Sequence, residues 1–236
     1  MEVLRFDTLP STNSFLQENH SSLSDFTFAW ASFQSAGKGS HGRSWQAKTN
    51  QGLLFSLLLK DQRLVNLPGL PLIAGAIVSS FMEGLGFSPM IKWPNDIYLD
   101  NRKAVGILCE GRAGEYVVIG IGINVNQKSF EGEFRAPPTS FSLVAGHDFD
   151  IEELAEKLFP YIESCLLQDD ISSFALDYVR NRDYLKGKAI LLDNEKTPLI
   201  AQGIDESFFL RVARDGKIET IASASFTLFP TQIKKG

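Results

Sequence analysis

The fold is decided by residues 90–125, MIKWPNDIYLDNRKAVGILCEGRAGEYVVIGIGINV. It contains four runs rich in β-branched and aromatic residues, and the turn signals DNR and GRAGE separate the later ones. Strands that follow one another through short turns usually pair with each other. The stretch therefore predicts an antiparallel meander. Near its end, Gly120 and Gly122 leave one face of the last strand bare, so a ligand could approach its backbone.

Strands and helices are also predicted before this meander. The aromatic run at 26–34 and the apolar run at 53–59 read as strands. Apolar residues at helical spacing predict a helix over 68–86 that packs on the sheet. Near the N-terminus, Ser11 or Thr12 can cap a short helix that ends at about Asn19.

The sequence after the meander predicts two helices, followed by a region of short strands. Asp150 forms a capping box with Glu153 at the start of the first helix, and Pro160 is expected to kink or interrupt that helix. The run ISSFALDYVRNR supplies the second helix. From about Asp183 onward, short alternating strands broken by Gly, Pro and Asp predict a small β-barrel-like unit.

The composition is that of a folded, acidic protein. Of its 236 residues, 44% are apolar and 22% are charged, and the net charge is -5. Such a surface does not attract DNA, RNA or anionic lipid, which disfavours a nucleic-acid-binding protein. The N-terminus has no basic start followed by an apolar run, and no window approaches the roughly 18 apolar residues of a membrane span. We therefore expect a cytoplasmic protein without a membrane partner.

Neither the cysteines nor the histidines indicate a metal site. Cys109 and Cys165 are too few and too far apart for a disulfide scaffold or a zinc knuckle, and we expect both to be buried small hydrophobic residues. The three histidines lack metal-ligand spacing. No G-x-S-x-G motif or cysteine–histidine motif supports a hydrolase.

Two phosphate-binding sequence patterns match the segment QSAGKGSHGRSW at 34–45. Its glycines spell G-x-G-x-x-G, and residues 37–44 nearly spell a P-loop with Arg43 in the place of the lysine. Both patterns need a helix directly after the loop, whereas strands are predicted on both sides. No Asp or Glu occurs between residues 26 and 60. We therefore interpret this glycine loop as anion-binding, without a nucleotide fingerprint.

KWPND and the strand after it bring together Lys92, Asn95, Asp96 and Lys103. Asn and Asp after a proline are common turn formers, and this interpretation stays open for Asn95 and Asp96. It does not explain Lys103 on an otherwise apolar strand, for which we predict an anionic partner, although a lysine at the first position of a strand can also point to water. Trp45 also has two open interpretations, as a packed aromatic residue or as a stacking face for a ligand.

A resemblance to a known family rests on five motifs, which are STN at 11–13, QSAGKGSHGRSW at 34–45, KWPND at 92–96, RKAVGIL at 102–108 and GIGINVN at 120–126. In order and spacing they resemble the motifs of biotin protein ligases, from about Asp7 to Gln127. The C-terminal part resembles the SH3-like domain of that family more loosely. The resemblance implies an α+β fold in which a central mixed β-sheet carries helices on one side. It also implies a catalytic domain at 1–183 and a small SH3-like β-barrel at 184–236.

The reaction of that family has two steps. The carboxylate of biotin attacks the α-phosphorus of ATP, and Mg²⁺ neutralises the departing pyrophosphate. The amine of one lysine on a biotin carboxyl carrier protein, usually that of acetyl-CoA carboxylase, then attacks the acyl carbon. Some members carry an N-terminal DNA-binding domain. Because STN begins at residue 11, we expect the ligase without that domain and without a nucleic-acid partner.

The resemblance also implies roles for individual residues. Lys103, Arg43 and Lys38 would be catalytic, because they would hold the carboxylate and the phosphoryl group, and Asp96 would serve Mg²⁺ indirectly. The residues implied to bind biotin are Ser11, Thr12, Asn13, Gln34, Gly37, Lys38, Lys103, Gly106, Gly120, Gly122 and Ile123. The residues implied to bind ATP are Lys38, Arg43, Trp45, Lys92, Asn95, Asp96 and Asn124.

Two other functions stay open at this point. Lipoate protein ligases share the catalytic fold, although their glycine loop carries an Arg-Arg pair and consecutive glycines that this chain lacks. A non-catalytic protein could bind biotin or its adenylate, although it would not need Lys103. Well-studied biotin protein ligases have arginines where this loop has Lys38, Ser40 and His41, so we expect weaker retention of the adenylate. An exposed strand edge of the meander could pair two subunits into a homodimer.

Overall fold

The computed structural model of the protein describes residues 1–193, 195–224 and 226–228, apart from the side chains of His41 and Thr227. Within these residues, one sheet has seven strands and another has five. The large sheet contains β1 (Glu2–Leu9), β2 (Thr27–Gln34), β3 (Gly52–Leu59), β4 (Met90–Lys92), β5 (Asp96–Leu99), β6 (Arg102–Arg112) and β7 (Tyr116–Asn124). The small sheet contains β8 (Ala189–Leu192), β9 (Leu199–Ile204), β10 (Leu210–Arg214), β11 (Lys217–Ile221) and β12 (Phe226–Leu228). The α-helices are α1 (Thr12–Asn19), α2 (Gln62–Val65), α3 (Leu70–Gly84), α4 (Phe141–Ala145), α5 (Ile151–Leu166) and α6 (Ile171–Asn181).

The large sheet is ordered β1-β2-β3-β7-β6-β5-β4. Strands β4 to β7 pair antiparallel with their neighbours in the chain, which confirms the predicted meander. Strand β3 pairs antiparallel with β7, and β2 with β3. Strand β1, which the sequence patterns did not reveal, runs parallel to β2. The intervening α1 makes this possible, because parallel strands need a crossover connection. The sheet is therefore mixed, as the resemblance implied.

The two faces of the large sheet carry different layers. Phe28 and Trp30 of β2 belong to the main core, which they share with residues of α3, α5 and α6. Ala29, which lies between them and faces the other way, packs with Leu16 of α1 in a separate cluster. The three longest helices thus lie on one side, as expected. The short helix α1 is the exception, since it covers the opposite face.

The helix α5 runs without a break from Ile151 to Leu166, so of the two predicted effects of Pro160 the interruption does not occur, while the kink stays a prediction. Phe159 and Ile162 on either side are fully buried in the core, and this packing outweighs the hydrogen bond that a proline removes. The Asp150 side chain caps the helix, as predicted. Glu153 does not complete a reciprocal box, because its carboxylate pairs with Lys157.

The small sheet is ordered β11-β10-β9-β8-β12, with antiparallel neighbours throughout the described residues. This arrangement matches the SH3-like unit that the resemblance implied. Its contact with the large sheet includes Trp93, whose indole N–H donates to the carbonyl of Phe208 at 3.1 Å. The boundary between residues 183 and 184 stays a prediction.

The outer edge of the meander is not open for pairing with a second subunit. Ile91 of β4 donates its N–H to the carbonyl of Arg182 at 2.8 Å and accepts from the N–H of Tyr184 at 2.9 Å. The chain at 182–184 therefore occupies the edge at which we expected subunits to pair. The opposite edge of the sheet is β1, whose residues are mostly exposed.

Two further features of the described residues bear on the sequence predictions. Cys109 and Cys165 are free thiols that pack against the main core, although each residue is half-buried, so the predicted burial holds only in part. None of the described helices has the length and apolar character needed to cross a membrane.

Candidate functional site

A cavity lies on the face of the large sheet that α1 covers. It is bounded by the N-terminus of α1, the glycine loop after β2, and the strands β6 and β7. The predicted site residues that line it are Ser11, Thr12, Asn13, Gln34, Lys38, Trp45, Asn95, Lys103, Gly106, Gly120 and Gly122. The other lining residues are Gly39, Ser40, Phe55, Ile107, Leu108 and Ile121.

The STN motif forms the N-terminal end of α1. The side chain of Ser11 accepts from the N–H of Ser14 and so caps the helix. Thr12 and Asn13 occupy the first turn, and all three motif residues are less than 5% exposed. The motif therefore places two buried polar side chains at the positive end of a helix, against the floor of the cavity.

Four side-chain oxygens form a continuous row along one wall of the cavity. Asn13 Oδ1 lies 2.5 Å from Ser56 Oγ, Ser56 Oγ lies 2.6 Å from Thr12 Oγ1, and Thr12 Oγ1 lies 3.0 Å from Gln34 Oε1. The Thr12 N–H also donates to Gln34 Oε1 at 2.7 Å, which fixes the orientation of that amide group. Asn13 Nδ2 donates to Glu110 at 2.9 Å, which fixes the orientation of the Asn13 amide group. We call these four atoms the oxygen row.

Three glycines form the floor of the cavity on β6 and β7. Gly106 and Gly122 are paired across the two strands, and the indole of Trp45 lies over both. A methyl group added at Gly122 would lie 2.5 Å from Cε2 of Trp45, and one added at Gly106 would lie 2.6 Å from Cζ3. Gly120 lies directly under the amide of Asn13. Side chains at these positions would collide with Trp45 or Asn13, which explains why the two strands carry glycine there.

Trp45 combines the two interpretations left open by the sequence. Its ring is packed onto the glycine floor, yet it also lines the cavity. Its indole N–H is buried and has no hydrogen-bond partner among the described residues. A buried donor without an acceptor is unfavourable by about 1–3 kcal/mol. The ring is therefore placed to contact a ligand that enters the cavity.

Lys103 has the anionic partner that the sequence predicted. Its Nζ lies 2.6 Å from Oδ1 of Asp96, and the two side chains are 27% and 14% exposed. Nζ also lies 5.4 Å from the ring of Trp45, within the range of a cation–π contact. Next to this pair, the amide of Asn95 donates to the carbonyl of Ile107 at 2.6 Å. The KWPND turn is thereby fastened to β6, and a positive charge stands at the mouth of the glycine floor.

The glycine loop runs from strand to strand, as predicted, with a single 3-10 turn at Ser40–Gly42. Lys38 lines the cavity and is exposed, so its ammonium group is accessible to an anion. Arg43 is turned back onto its own loop, where its guanidinium donates to the carbonyl of Ser40 at 2.8 Å. Gly37 accepts from the N–H of Trp45 and so fixes the end of the loop. The side chain of His41 lies outside the described residues.

Lys92 stands beside the cavity without forming an ion pair with any described residue. Its Nζ lies 4.7 Å from the ring of Phe226 and 5.6 Å from the ring of Tyr98. Burial lowers its pKa, although the carboxylate of Asp96 acts in the opposite direction. A desolvated lysine of this kind gains free energy when an anion binds next to it.

Six predicted site residues are not among those that line the cavity, namely Gly37, Arg43, Lys92, Asp96, Ile123 and Asn124. Ile123 is 2% exposed and belongs to the core on the opposite face, because it alternates with Gly122 along β7. Asn124 faces the same side as the glycines, but its amide donates to the carbonyl of Thr139 and accepts from Gln127, each at 3.0 Å. Its side chain therefore holds the chain after β7 in place.

Ser56 is the main residue of the site that sequence reasoning missed. It is fully buried, pairs with Gly120 across β3 and β7, and occupies the middle of the oxygen row. A signal was present, because Ser56 is the single polar residue in the run LLFSLLL. A buried hydroxyl among leucines needs a partner, and that partner is found in the cavity wall.

Comparison with known proteins agrees with this fold. Residues 3–126 match the model of the biotin/lipoate A/B protein ligase family. The bifunctional ligase/repressor BirA of Bacillus subtilis is 39% identical over 157 residues, which are 63% of this chain and 48% of that protein. The biotin--[acetyl-CoA-carboxylase] ligase of Paracoccus denitrificans is 30% identical over 176 residues, 70% of this chain and 73% of that protein.

A solved structure covers nearly the whole chain. The biotin protein ligase from Aquifex aeolicus in complex with biotin and ATP superimposes with a TM-score of 0.84 at 28% identity, over 98% of this chain and 99% of that chain. The chain spans about half the length of the first curated relative it matches, at 48%. The family match covers more than half of the sequence. The chain therefore belongs to the biotin/lipoate A/B protein ligase family.

Proposed function

We propose that this chain is an ATP-dependent biotin protein ligase. In the proposed reaction it joins biotin to AMP and then transfers the biotinyl group to one lysine of a biotin carboxyl carrier protein. The names of its relatives support this proposal, since one is a biotin--[acetyl-CoA-carboxylase] ligase and another was solved with biotin and ATP. The observation that carries the proposal is the balance of hydrogens in the oxygen row.

The oxygen row contains fewer hydrogens than contacts. Its four oxygens form three contacts, yet Ser56 and Thr12 supply one hydroxyl hydrogen each, and the two amide oxygens supply none. One contact is therefore without a hydrogen. A ligand N–H that donates to Gln34 Oε1 would free the Thr12 hydrogen for Ser56, so that Gln34, Ser56 and Asn13 would each accept a hydrogen. The wall thus favours a ligand whose head group donates hydrogen bonds.

This requirement favours biotin over lipoate. The urea of biotin carries two N–H donors, whereas the dithiolane ring of lipoate has none. A site with buried polar groups rejects a ligand that leaves those groups unpaired, often by a factor of about 10⁴. The same argument supports a role in biotin binding for the side chains of Ser11, Thr12, Asn13 and Gln34.

The charged part of the cavity is suited to the activation step. The carboxylate oxygen of biotin attacks the α-phosphorus, a P–O bond forms, and pyrophosphate leaves with the electrons of the broken P–O bond. Lys103 lies where it can hold that carboxylate, and Lys38 and Lys92 supply positive charge for the phosphates. Charge that is already in place when the transition state forms is worth about 10²–10³ in rate.

The second step would use the same positive charge. The amine of the carrier lysine attacks the acyl carbon and loses a proton, an amide bond forms, and AMP leaves. Lys103 can stabilise the negative charge that develops on the acyl oxygen. Trp45 and the glycine loop stand over the floor of the cavity, where they would exclude water from the reactive mixed anhydride.

Mg²⁺ fits this site only as a partner of the nucleotide. No cluster of three acidic, histidine or cysteine side chains that could hold a metal ion occurs among the described residues. Mg²⁺ commonly binds through one or two carboxylates together with substrate phosphates, and Asp96 provides a carboxylate. When bound with ATP, the ion would neutralise charge on the leaving pyrophosphate, while Asp96 continues to orient Lys103.

The proposed partner is the carrier subunit of a biotin-dependent carboxylase, and the proposed compartment is the cytoplasm, where ATP and such carriers meet. A homodimer stays a prediction. If one forms through a strand edge, the exposed β1 is the better candidate, because residues 182–184 occupy the edge of β4.

The test is a transfer assay with purified chain, ATP, Mg²⁺ and apo-carrier, given either biotin or lipoate. We expect the carrier to gain the mass of one biotinyl group and no lipoyl group. Modification with lipoate alone would overturn the proposal in favour of a lipoate ligase. Tight binding of biotin without modification of the carrier would favour a non-catalytic binding protein.

A further inference from the structure

We infer that Glu110 is a positioning residue, whose carboxylate holds the amide of Asn13 in the orientation that biotin requires. The inference deepens the proposed function, since it assumes that Asn13 faces the head group of biotin. Glu110 lies on β6 and is half-buried. It is not among the residues that line the cavity. Glu110 therefore acts on the ligand indirectly, and of its two partners on α1, Asn13 is the one that lines the cavity.

The amide of Asn13 is held on both sides. Its Nδ2 donates to Glu110 Oε2 at 2.9 Å and to the carbonyl of Leu108 at 3.3 Å. Its Oδ1 accepts from Ser56 Oγ at 2.5 Å. The residue is 4% exposed, so water does not compete for these contacts. Gly106, Leu108 and Glu110 alternate along one face of β6, which places the carboxylate at the far end of the cavity wall from Lys103.

An amide group has two orientations of nearly the same shape, which exchange its oxygen and its nitrogen. In the reverse orientation, Asn13 Oδ1 would face the carboxylate of Glu110 and the carbonyl of Leu108, both of which accept only. That orientation would lose both hydrogen bonds of Nδ2 and would bring the partial negative charge of Oδ1 close to two acceptor oxygens. Glu110 therefore selects the orientation in which Oδ1 belongs to the oxygen row and can accept from a ligand N–H.

Replacement of Glu110 removes this preference without changing the cavity wall itself. With a leucine at this position, only the carbonyl of Leu108 opposes the reverse orientation. Asn13 would then present its NH₂ group to the ligand part of the time, and an N–H of the ligand would meet a donor. We expect weaker biotin binding with little change in the chemistry at Lys103.

Gln17 provides a matched control. Its Nε2 donates to the same oxygen of Glu110 at 3.0 Å, from the next turn of α1. A Gln17→Leu variant removes a partner of Glu110 but keeps the contact with Asn13. It therefore separates the orientation of Asn13 from the packing of α1 on β6.

The experiment compares Glu110→Leu, Glu110→Gln and Gln17→Leu with the wild type by calorimetric titration with biotin and by steady-state kinetics. For Glu110→Leu, we expect biotin affinity to fall about 10-fold, since a hydrogen bond to a charged group is lost. KM for biotin should rise with it, while kcat, KM for ATP and Tm stay within about twofold of wild type. Glu110→Gln should lose less, because its amide oxygen can still accept from Asn13. Gln17→Leu should bind biotin like the wild type.

Wild-type affinity in Glu110→Leu, or an equal loss in Gln17→Leu, would overturn the inference. If Glu110→Leu does not fold, a double-mutant cycle serves instead. Asn13→Asp brings two carboxylates together, and adding Glu110→Gln supplies a donor, so the second change should recover part of the lost affinity. Independent, additive losses would contradict the inference. A wild type that binds biotin but does not modify the carrier would overturn only the proposed function, whereas no binding at all would overturn both.

Discussion

A methyl group at Gly120 is a minimal change that should strongly weaken biotin binding. Added there, the methyl carbon would lie 2.8 Å from Cγ and 3.0 Å from Nδ2 of Asn13, and closer still to Oδ1. Non-bonded carbon atoms prefer about 3.5–4.0 Å, so the amide must retreat by about 1 Å. Asn13 cannot make this movement freely, because Ser56, Glu110 and Leu108 all hold its amide.

The expected loss in the Gly120→Ala variant is therefore large for binding and moderate for folding. A misplacement of about 1 Å in a binding group costs about 10²-fold in kcat/KM. This factor corresponds to about 2.7 kcal/mol. Loss of one or two of the buried hydrogen bonds of Asn13 lowers the free energy of unfolding by about 1–3 kcal/mol. Biotin titration and the kinetics of biotin-dependent pyrophosphate exchange into ATP measure the effect on binding, and thermal melts measure the effect on folding.

Gly84→Ala is the matched control for this variant. Gly84 is the last residue of α3, it is exposed, and a methyl group there would meet no atom within 4 Å. Alanine in a helix is favoured over glycine by about 0.5–1 kcal/mol, so this variant should be as stable as the wild type or more so. Its biotin affinity should not change. Wild-type biotin affinity in Gly120→Ala would refute the placement of the head group beside Asn13.

Three further predictions concern single side chains. Burial lowers the pKa of Lys92, so its charged form destabilises the fold at neutral pH. This destabilisation disappears as the pH rises from the lowered pKa of the folded state to 10.5, the ordinary pKa of lysine. Lys92→Met should therefore keep or raise Tm while raising KM for ATP about 10-fold, and a clear drop in Tm would contradict this reasoning. Trp45→Phe should abolish most of the ligand-dependent change in intrinsic fluorescence, because Trp30 and Trp93 are only 7% and 2% exposed; an undiminished change would show that the ligand lies elsewhere. Burial raises the pKa of Cys109 to about 12. At pH 8, iodoacetamide should therefore alkylate this thiol about 10³-fold more slowly in the folded than in the unfolded chain, and peptide mapping can measure the two rates. Equal rates would mean that the thiol is solvated.

The meander, the glycine loop and the STN helix could be predicted because local signals specify each of them. Turns separate the strands of the meander, and strand patterns flank the glycine loop. The same alternation that leaves Gly120 and Gly122 bare also excludes Ile123, since neighbouring residues of a strand face opposite sides. The position of the Ile123 side chain in the core could therefore have been predicted from the sequence alone. Ser56 could also have been found, as the one hydroxyl in an apolar strand.

Other features depend on contacts that no local pattern specifies. Asn13 and Glu110 are 97 residues apart in sequence, and only the assembled sheet brings them together. Asn124 looked like a ligand-binding residue, but residues beyond β7 return to occupy its amide. Strand β1 is an edge strand with charged residues on its exposed side, so its apolar pattern is weak. In each case tertiary packing decides what the local sequence leaves open.

Biotin-dependent exchange of labelled pyrophosphate into ATP tests the central claim most directly, because it isolates the activation step from the carrier. The wild type should exchange only when biotin is present, and Lys103→Met should lower the rate by at least about 10²-fold. Lys48→Met is the control, since Lys48 is exposed and pairs with Glu131 instead of lining the cavity. Full exchange in Lys103→Met, or no biotin-dependent exchange in the wild type, would contradict the account.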